Sequence, residues 1–204
     1  MAKKLYTIGY SGFPGIADFI STLKDYDVQL LIDVRSSPFS AYFEQYNKDR
    51  LGYELKKVGI NYCNYARQFG ARQENREFYK NGRLDFETFS RSDQFLEGVS
   101  DVENSPCVIA FMCAEKHPSE CHRAIMVARA FNLRGHEITH IKPNGITLSQ
   151  RDIDEELLQK YFPDRNQVAL PGFGDENEKS EDEYIREAYA LRNDEIGFKL
   201  EDLK

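Results

Sequence analysis

The sequence predicts an α/β protein with a mostly parallel, open sheet of about five strands and helices on both faces, a three-layer α/β/α arrangement. Apolar strand-like runs alternate with segments whose apolar residues recur at i, i+3, i+4 and i+7, and this alternation builds βαβ units around a parallel sheet. The runs are also nearly continuous in apolar residues, most clearly at 28–34 and 107–112, as strands covered on both faces require.

Each element has its own signal. Leu5-Tyr6-Thr7-Ile8 is a short strand that ends at Gly9-Tyr10-Ser11-Gly12. Pro14 marks a helix start, with Ile16, Phe19, Ile20 and Leu23 on one face. Residues 28–34 form the second strand, with Asp33 near its end, and it breaks at Arg35-Ser36-Ser37-Pro38. A helix over about 48–58 groups Leu51, Leu55 and Val58, and Gly59 caps it. Residues 60–65 are the third strand, followed by a long polar loop to about 84. Asp85 starts a helix that continues through Phe89, Phe95, Leu96 and Val99. The fourth strand is 107–112, a helix covers roughly 119–133 before Gly135, and 136–141 is the fifth strand. Pro143-Asn144-Gly145 is a turn, and Ile153, Leu157, Leu158 and Tyr161 indicate a helix stopped by Pro163.

These elements define an α/β domain over residues 1–165. Residues 166–204 read as an acidic C-terminal extension. In it Pro171-Gly172-Phe173-Gly174 is a linker, and Ser180 and Glu183 have capping-box spacing ahead of a short helix through Tyr184, Ile185, Ala188, Tyr189 and Leu191. The extension is expected to pack back on the domain; contact with a protein partner is the alternative.

Composition narrows the function classes. The net charge is −7, but residues 175–204 hold 11 acids and five bases, a balance of −6, so the remainder carries only −1. A strongly basic nucleic-acid surface is absent from that balance. No apolar run approaches the roughly 18 residues of a membrane span, and the N-terminus enters a strand pattern without a signal-peptide apolar region. A cytoplasmic location and no membrane partner are expected. The four cysteines, at 63, 107, 113 and 121, are then expected as thiols, and they form no Cys-x-x-Cys pair.

The chemistry concentrates between Cys113 and Arg123. Two thiols, two imidazoles, Glu115, Lys116 and Arg123 fall within eleven positions between a strand and a helix start, where backbone amides attract anions and lower thiol pKa values. Ligands of open α/β sheets bind beyond strand C-termini, and Tyr10, Ser11, Arg35 and Ser36 also follow strand ends. Cys113 is the candidate nucleophile or redox thiol, and His122 and Glu115 the proton carriers. Tyr10, Ser11, Arg35, Ser36, Lys116 and Arg123 are candidate substrate-binding residues. Arg35 and Arg123 can clamp an anion or act as internal struts, paired with Asp33 and Glu115. Cys121 falls on the face of Ala124 and Ala128, which favours core packing. The loop 67–83 is basic, with Phe69, Phe78 and Tyr79 interleaved; it reads as an anchored solvated loop, with single-stranded nucleic acid or a nucleotide as the alternative ligand.

Three motifs also carry a resemblance: Thr7-Ile8-Gly9-Tyr10-Ser11; Leu31-Ile32-Asp33-Val34-Arg35-Ser36 with Pro38 and Ser40; and Cys113-Ala114-Glu115-Lys116 with Pro118 and Cys121-His122-Arg123. In this order they resemble the bacterial family known as domain of unknown function 488, over roughly residues 3–165. Phe69-Gly70-Ala71 stands where that family usually has Leu-Gly-Gly. The resemblance implies the fold type and a site at the motifs, and no reaction. A weaker likeness is to rhodanese and cysteine-phosphatase domains, whose anion-binding loop is shorter than the interval from Cys113 to Arg123.

The resulting expectation is a cysteine-dependent enzyme acting on an anionic substrate, of nucleotide, nucleic-acid or other phosphate- or sulfur-containing kind. A non-catalytic nucleotide-binding or sensor module is the alternative. No cofactor is expected, because the chain has neither a dinucleotide fingerprint nor a P-loop. A metal site built from Cys113, Cys121, His122 and His140 is the third reading, ranked below a metal-free site because its spacing matches no familiar pattern.

Overall fold

The computed structural model describes residues 2–165 and 179–203. In chain order, β1 (Lys4–Gly9) leads to α1 (Ile16–Asp25), β2 (Leu30–Asp33), α2 (Lys48–Lys57) and β3 (Asn61–Asn64). A short α3 (Ala66–Phe69) and the ribbon β4 (Tyr79–Lys80) and β5 (Arg83–Leu84) follow. Then come α4 (Phe86–Ser90), α5 (Asp93–Asn104) and β6 (Ile109–Cys113). A π-helical turn, Arg123–Ala128, runs into α6 (Arg129–Leu133). The chain continues through β7 (Glu137–Ile141), β8 (Thr147–Ser149), α7 (Gln150–Tyr161) and α8 (Glu181–Ile196).

Six strands form one sheet in the order β3-β2-β6-β1-β7-β8, parallel except for β8, which runs antiparallel to β7. The three-layer α/β/α fold is therefore present, with six strands instead of five. The additional strand is three residues long and polar at both ends, so it carries no strand signal. Asn144 and Gly145, at φ 65° and 72°, turn the chain back onto β7.

The period of two along the strands sorts the core into two layers. Leu5, Ile109, Phe111 and Cys113 join residues of α4 to α8 on one face. Tyr6, Ile8, Ala110 and Met112 join Phe19, Leu23, Leu51 and Leu55, from α1 and α2, on the other. All six residues of the π-helical turn are buried, as a helix enclosed on every side must be.

Three further segments differ from the sequence reading. The stretch taken as polar loop to residue 84 contains α3 and the β4–β5 hairpin, whose Asn81-Gly82 turn has φ of 50° and 75°. That dipeptide between short strands is a strong hairpin signal. The single helix from Asp85 is two, because Asp85 caps the Thr88 amide (2.7 Å) and Ser92 caps the Phe95 amide (3.3 Å). The helix read over 119–133 is interrupted: a 3₁₀ turn at Pro118–Glu120 is followed by an extended residue, and the helix that then starts is π-helical at Arg123–Ala128 before it becomes α.

The capping box at Ser180 and Glu183 is formed, and α8 reaches Ile196. It lies on the domain: Ala188 and Tyr189 enter the first core layer, and Tyr189 donates to Asp154 at 2.6 Å. The linker read at 171–174 lies outside the described residues. Among the described residues, no helix is long and apolar enough to cross a membrane.

Candidate active site

Cys113 ends β6 on the face covered by α4 to α8. The chain then loops through 114–117, makes the 3₁₀ turn, and reaches Cys121 in extended conformation (φ −136°, ψ 137°). His122 is already helical (φ −56°, ψ −23°). Cys121 therefore caps the helix: its carbonyl accepts from the amides of Ala124 (3.0 Å) and Ile125 (3.1 Å), and its sulfur accepts from the Arg123 amide at 3.4 Å. Adjacent residues of one helix diverge by about 100°. The switch from extended to helical between 121 and 122 removes that divergence and turns both side chains toward Cys113.

The result is a tight cluster. His122 Nδ1 lies 3.9 Å from Cys113 Sγ and 3.9 Å from Cys121 Sγ. The three atoms are all within 4.8 Å of one another. His122 Nε2 is 2.9 Å from the Val34 carbonyl oxygen at the end of β2. A carbonyl only accepts, so Nε2 carries a proton and Nδ1 is the nitrogen presented to the sulfurs. Cys121 Sγ donates to Glu115 Oε2 at 2.8 Å. Glu115 keeps part of its length at the surface and turns its carboxyl end inward.

The surroundings separate the two thiols. Burial, then the adjoining Cys121, pushes the Cys113 thiol well up. Burial also opposes ionisation of Cys121, but the Cys113 thiol, Arg123 and His122 outweigh it and bring the Cys121 thiol well down. His122 is raised: burial acts against its charge, and Cys121, Glu115 and the Val34 carbonyl prevail. Burial and Cys121 raise Glu115. The environment thus eases ionisation of Cys121, whose proton passes to Glu115 across their hydrogen bond, where the sequence singled out Cys113.

Arg123 is buried, at 1% exposure. Its Nη1 donates to the Glu115 carbonyl at 2.7 Å and its Nη2 to the Lys116 carbonyl at 3.5 Å, while Nε has no partner among the described residues. No carboxylate pairs with it among the described residues, although the alternative reading joined it to Glu115; it holds the loop through backbone oxygens. Gly9 makes room for this contact, since a Cβ there would stand 1.8 Å from the Glu115 carbonyl oxygen and 2.9 Å from Arg123 Nη2.

The remaining strand-end residues gather elsewhere. Arg35 forms a buried ion pair with Asp33 (Nη2 to Oδ2, 2.6 Å) and donates to the Tyr46 carbonyl at 2.8 Å. Tyr62 donates to the same carboxylate at 2.6 Å. Arg35 lies over the ring of Tyr10, which stacks on Tyr46 at 4.4 Å between centroids. Tyr10 and Tyr46 belong to the α1–α2 face of the sheet, whereas Cys113 and Cys121 belong to the opposite one. Ser11 joins the loop through its amide, which donates to the Ala114 carbonyl (3.0 Å). Ser36 Oγ accepts from the Arg72 amide at 2.8 Å and so holds the long segment, and Lys116 is exposed. His140 stands apart from the cluster, with Nδ1 2.8 Å from Thr7 Oγ1 and Nε2 3.1 Å from Gln150 Oε1. Burial and Arg123 depress it to about 3, so it is neutral.

The basic segment 67–83 is tied internally. Arg67 pairs with Glu97, Lys80 with Asp85 at 2.9 Å, and Arg83 donates to the Gly197 carbonyl at 3.0 Å. Phe69 is fully buried, and Phe78 and Tyr79 pack against the core.

The family model for "Domain of unknown function DUF488" matches residues 15–130, more than half of the chain. The chain belongs to the DUF488 family. No curated protein and no solved structure matches it. The DUF488 span contains Val34, Cys113, Glu115, Cys121, His122 and Arg123, hence the whole cluster, whereas α7 and α8 lie outside it. Sequence reasoning missed the Val34 carbonyl, because a backbone acceptor has no residue-type signal. It also missed Tyr46 and Tyr62, which enclose the Asp33–Arg35 pair from segments read only as helix flank and strand.

Proposed function

We propose that the protein is a cysteine-dependent enzyme acting on a small anionic substrate at the Cys113–Cys121–His122 cluster. The observation that carries this reading is the fixed imidazole of His122, whose Nδ1 faces both sulfurs at 3.9 Å while Nε2 is held by Val34. Thiol chemistry of this kind needs a base or cation oriented on the sulfur by a third group. Two further features support an anion: Arg123 brings a buried positive charge with no carboxylate partner among the described residues, and the helix start contributes its amides. Glu115, between the surface and Cys121, is placed to take or give a proton.

Size favours a small reactant. Cys113 is 3% and Cys121 1% exposed, so a phosphate- or sulfur-containing anion suits the cluster better than a nucleotide or nucleic acid. The aromatics of the 67–83 segment favour the same choice, because Phe69 is fully buried and Phe78 and Tyr79 are half-buried against the core.

A panel of p-nitrophenyl phosphate and thiosulfate with a cyanide acceptor tests the reading. Turnover of at least one probe is expected, falling by roughly 100-fold or more in Cys121→Ala and in His122→Ala. Undiminished turnover in both variants, or none in the wild type with any probe, would remove it.

A further inference from the structure

We infer that Cys113, Cys121 and His122 are the protein ligands of a transition-metal ion, with zinc the best match to the donor set. The inference uses the cluster on which the enzyme reading rests, and gives its cysteines the role of ligands. It departs from the metal-free site expected from the sequence.

The geometry suits one ion. Two Sγ atoms and one Nδ1 lie within 4.8 Å of one another, with Nδ1 3.9 Å from each sulfur. Zinc bonds of about 2.3 Å to sulfur and about 2.0 Å to nitrogen together span up to about 4.3 Å. An ion between the imidazole and either sulfur is therefore within bonding reach of both.

The tautomer is the second observation. Nε2–H donates to the Val34 carbonyl at 2.9 Å, which leaves the Nδ1 lone pair directed at the sulfurs. Ligating histidines are oriented in this way, by a backbone carbonyl or carboxylate on the other ring nitrogen. Cys121 has outer support of the same sort, since its sulfur accepts from the Arg123 amide.

Donor chemistry selects the ion. Two thiolates and a neutral imidazole balance a divalent charge. Sulfur donors select against magnesium and calcium, which take oxygen ligands. Three protein ligands leave one tetrahedral position open, as in catalytic zinc sites. Glu115 is hydrogen-bonded to Cys121 at 2.8 Å and so stands beside the ligand set. The spacing escaped a sequence pattern because Cys121 and His122 are adjacent, and adjacent residues share a ligand only where the backbone changes conformation between them.

The test uses the full chain, purified without a histidine tag and under reducing conditions. Elemental analysis is expected to find about one zinc per chain, with Cys113→Ser, Cys121→Ser and His122→Gln each retaining a small fraction of it. Lys57→Ala, on the far surface, keeps the full content. Cobalt(II) exchanged into the wild type is expected to give near-ultraviolet thiolate charge-transfer bands and intense tetrahedral visible bands. This second readout needs no variant and so survives a variant that fails to fold. A wild type that takes up no metal under argon overturns the inference, as does a cobalt spectrum without thiolate bands, or a Cys113–Cys121 disulfide in freshly purified metal-free protein. Metal bound without turnover removes the enzyme reading alone. Cysteine-dependent turnover by metal-free protein removes this inference alone.

Discussion

Gly9 has the least room of the described glycines. A methyl group there would meet the Glu115 carbonyl oxygen at 1.8 Å, so Gly9→Ala must displace the loop that Arg123 holds. Overpacking of this kind costs about 1–3 kcal/mol, and urea unfolding should show it. Asp33→Asn should cost more, roughly 3–5 kcal/mol, because it leaves the Arg35 guanidinium buried without its partner. A variant as stable as wild type would show that Arg35 finds another anion. His140 gives a pH signature. Its folded value is depressed from 6.5 to about 3, so between those values the unfolded chain binds a proton that the folded chain refuses. Stability should therefore fall as pH drops through that window, by up to about 1.4 kcal/mol per pH unit, with no contribution above it. Comparing unfolding free energies of wild type and His140→Asn from about pH 7 to pH 4 isolates this slope; equal slopes would refute it.

Among the elements, α8 has the clearest energetic role. Asn193 Oδ1 accepts from the Phe86 amide at 2.6 Å, and its Nδ2 donates to the Leu84 carbonyl at 2.7 Å. Asn193→Ala leaves both backbone groups buried and unpaired, at about 1–3 kcal/mol each. Ser180→Ala, which removes the exposed cap of the same helix, should cost only about 1 kcal/mol. A larger loss at Ser180 than at Asn193, measured by chemical denaturation, would contradict this account. The helix also reaches the site: Arg192 Nε donates to the Ser119 carbonyl at 2.7 Å, two residues before Cys121. The capping box was legible in the sequence because its residues are close in the chain. The docking through Asn193 was not, because its partners lie more than a hundred positions away.

At the scale of the whole molecule, the sequence revealed the layers better than the faces. Continuous apolar runs disclosed five strands, while Thr147–Ser149 gave no such signal because its pairing depends on the turn before it. Strand-end reasoning brought Tyr10, Arg35, Cys113 and Arg123 to one edge of the sheet. It could not say which side of that edge each would take. The period of two puts Cys113 with α4 to α8, and the Asp33 carboxylate draws Arg35 to the other side. Cys121 was read onto a helical face, but its extended backbone places it in the cluster. One consequence concerns the π-helical turn that follows, where the Arg129 amide reaches back to the Ala124 carbonyl. Such a turn contains one residue more than an α-helix needs. Deleting a single residue from 124–127 would remove that surplus, let the segment relax to ordinary helix and leave both flanks, His122 and α6, in phase. A shortened chain that melts cooperatively and still brings thiols and imidazole together would show that the turn absorbs the extra residue; loss of the cluster would show that the wider turn itself aims this site.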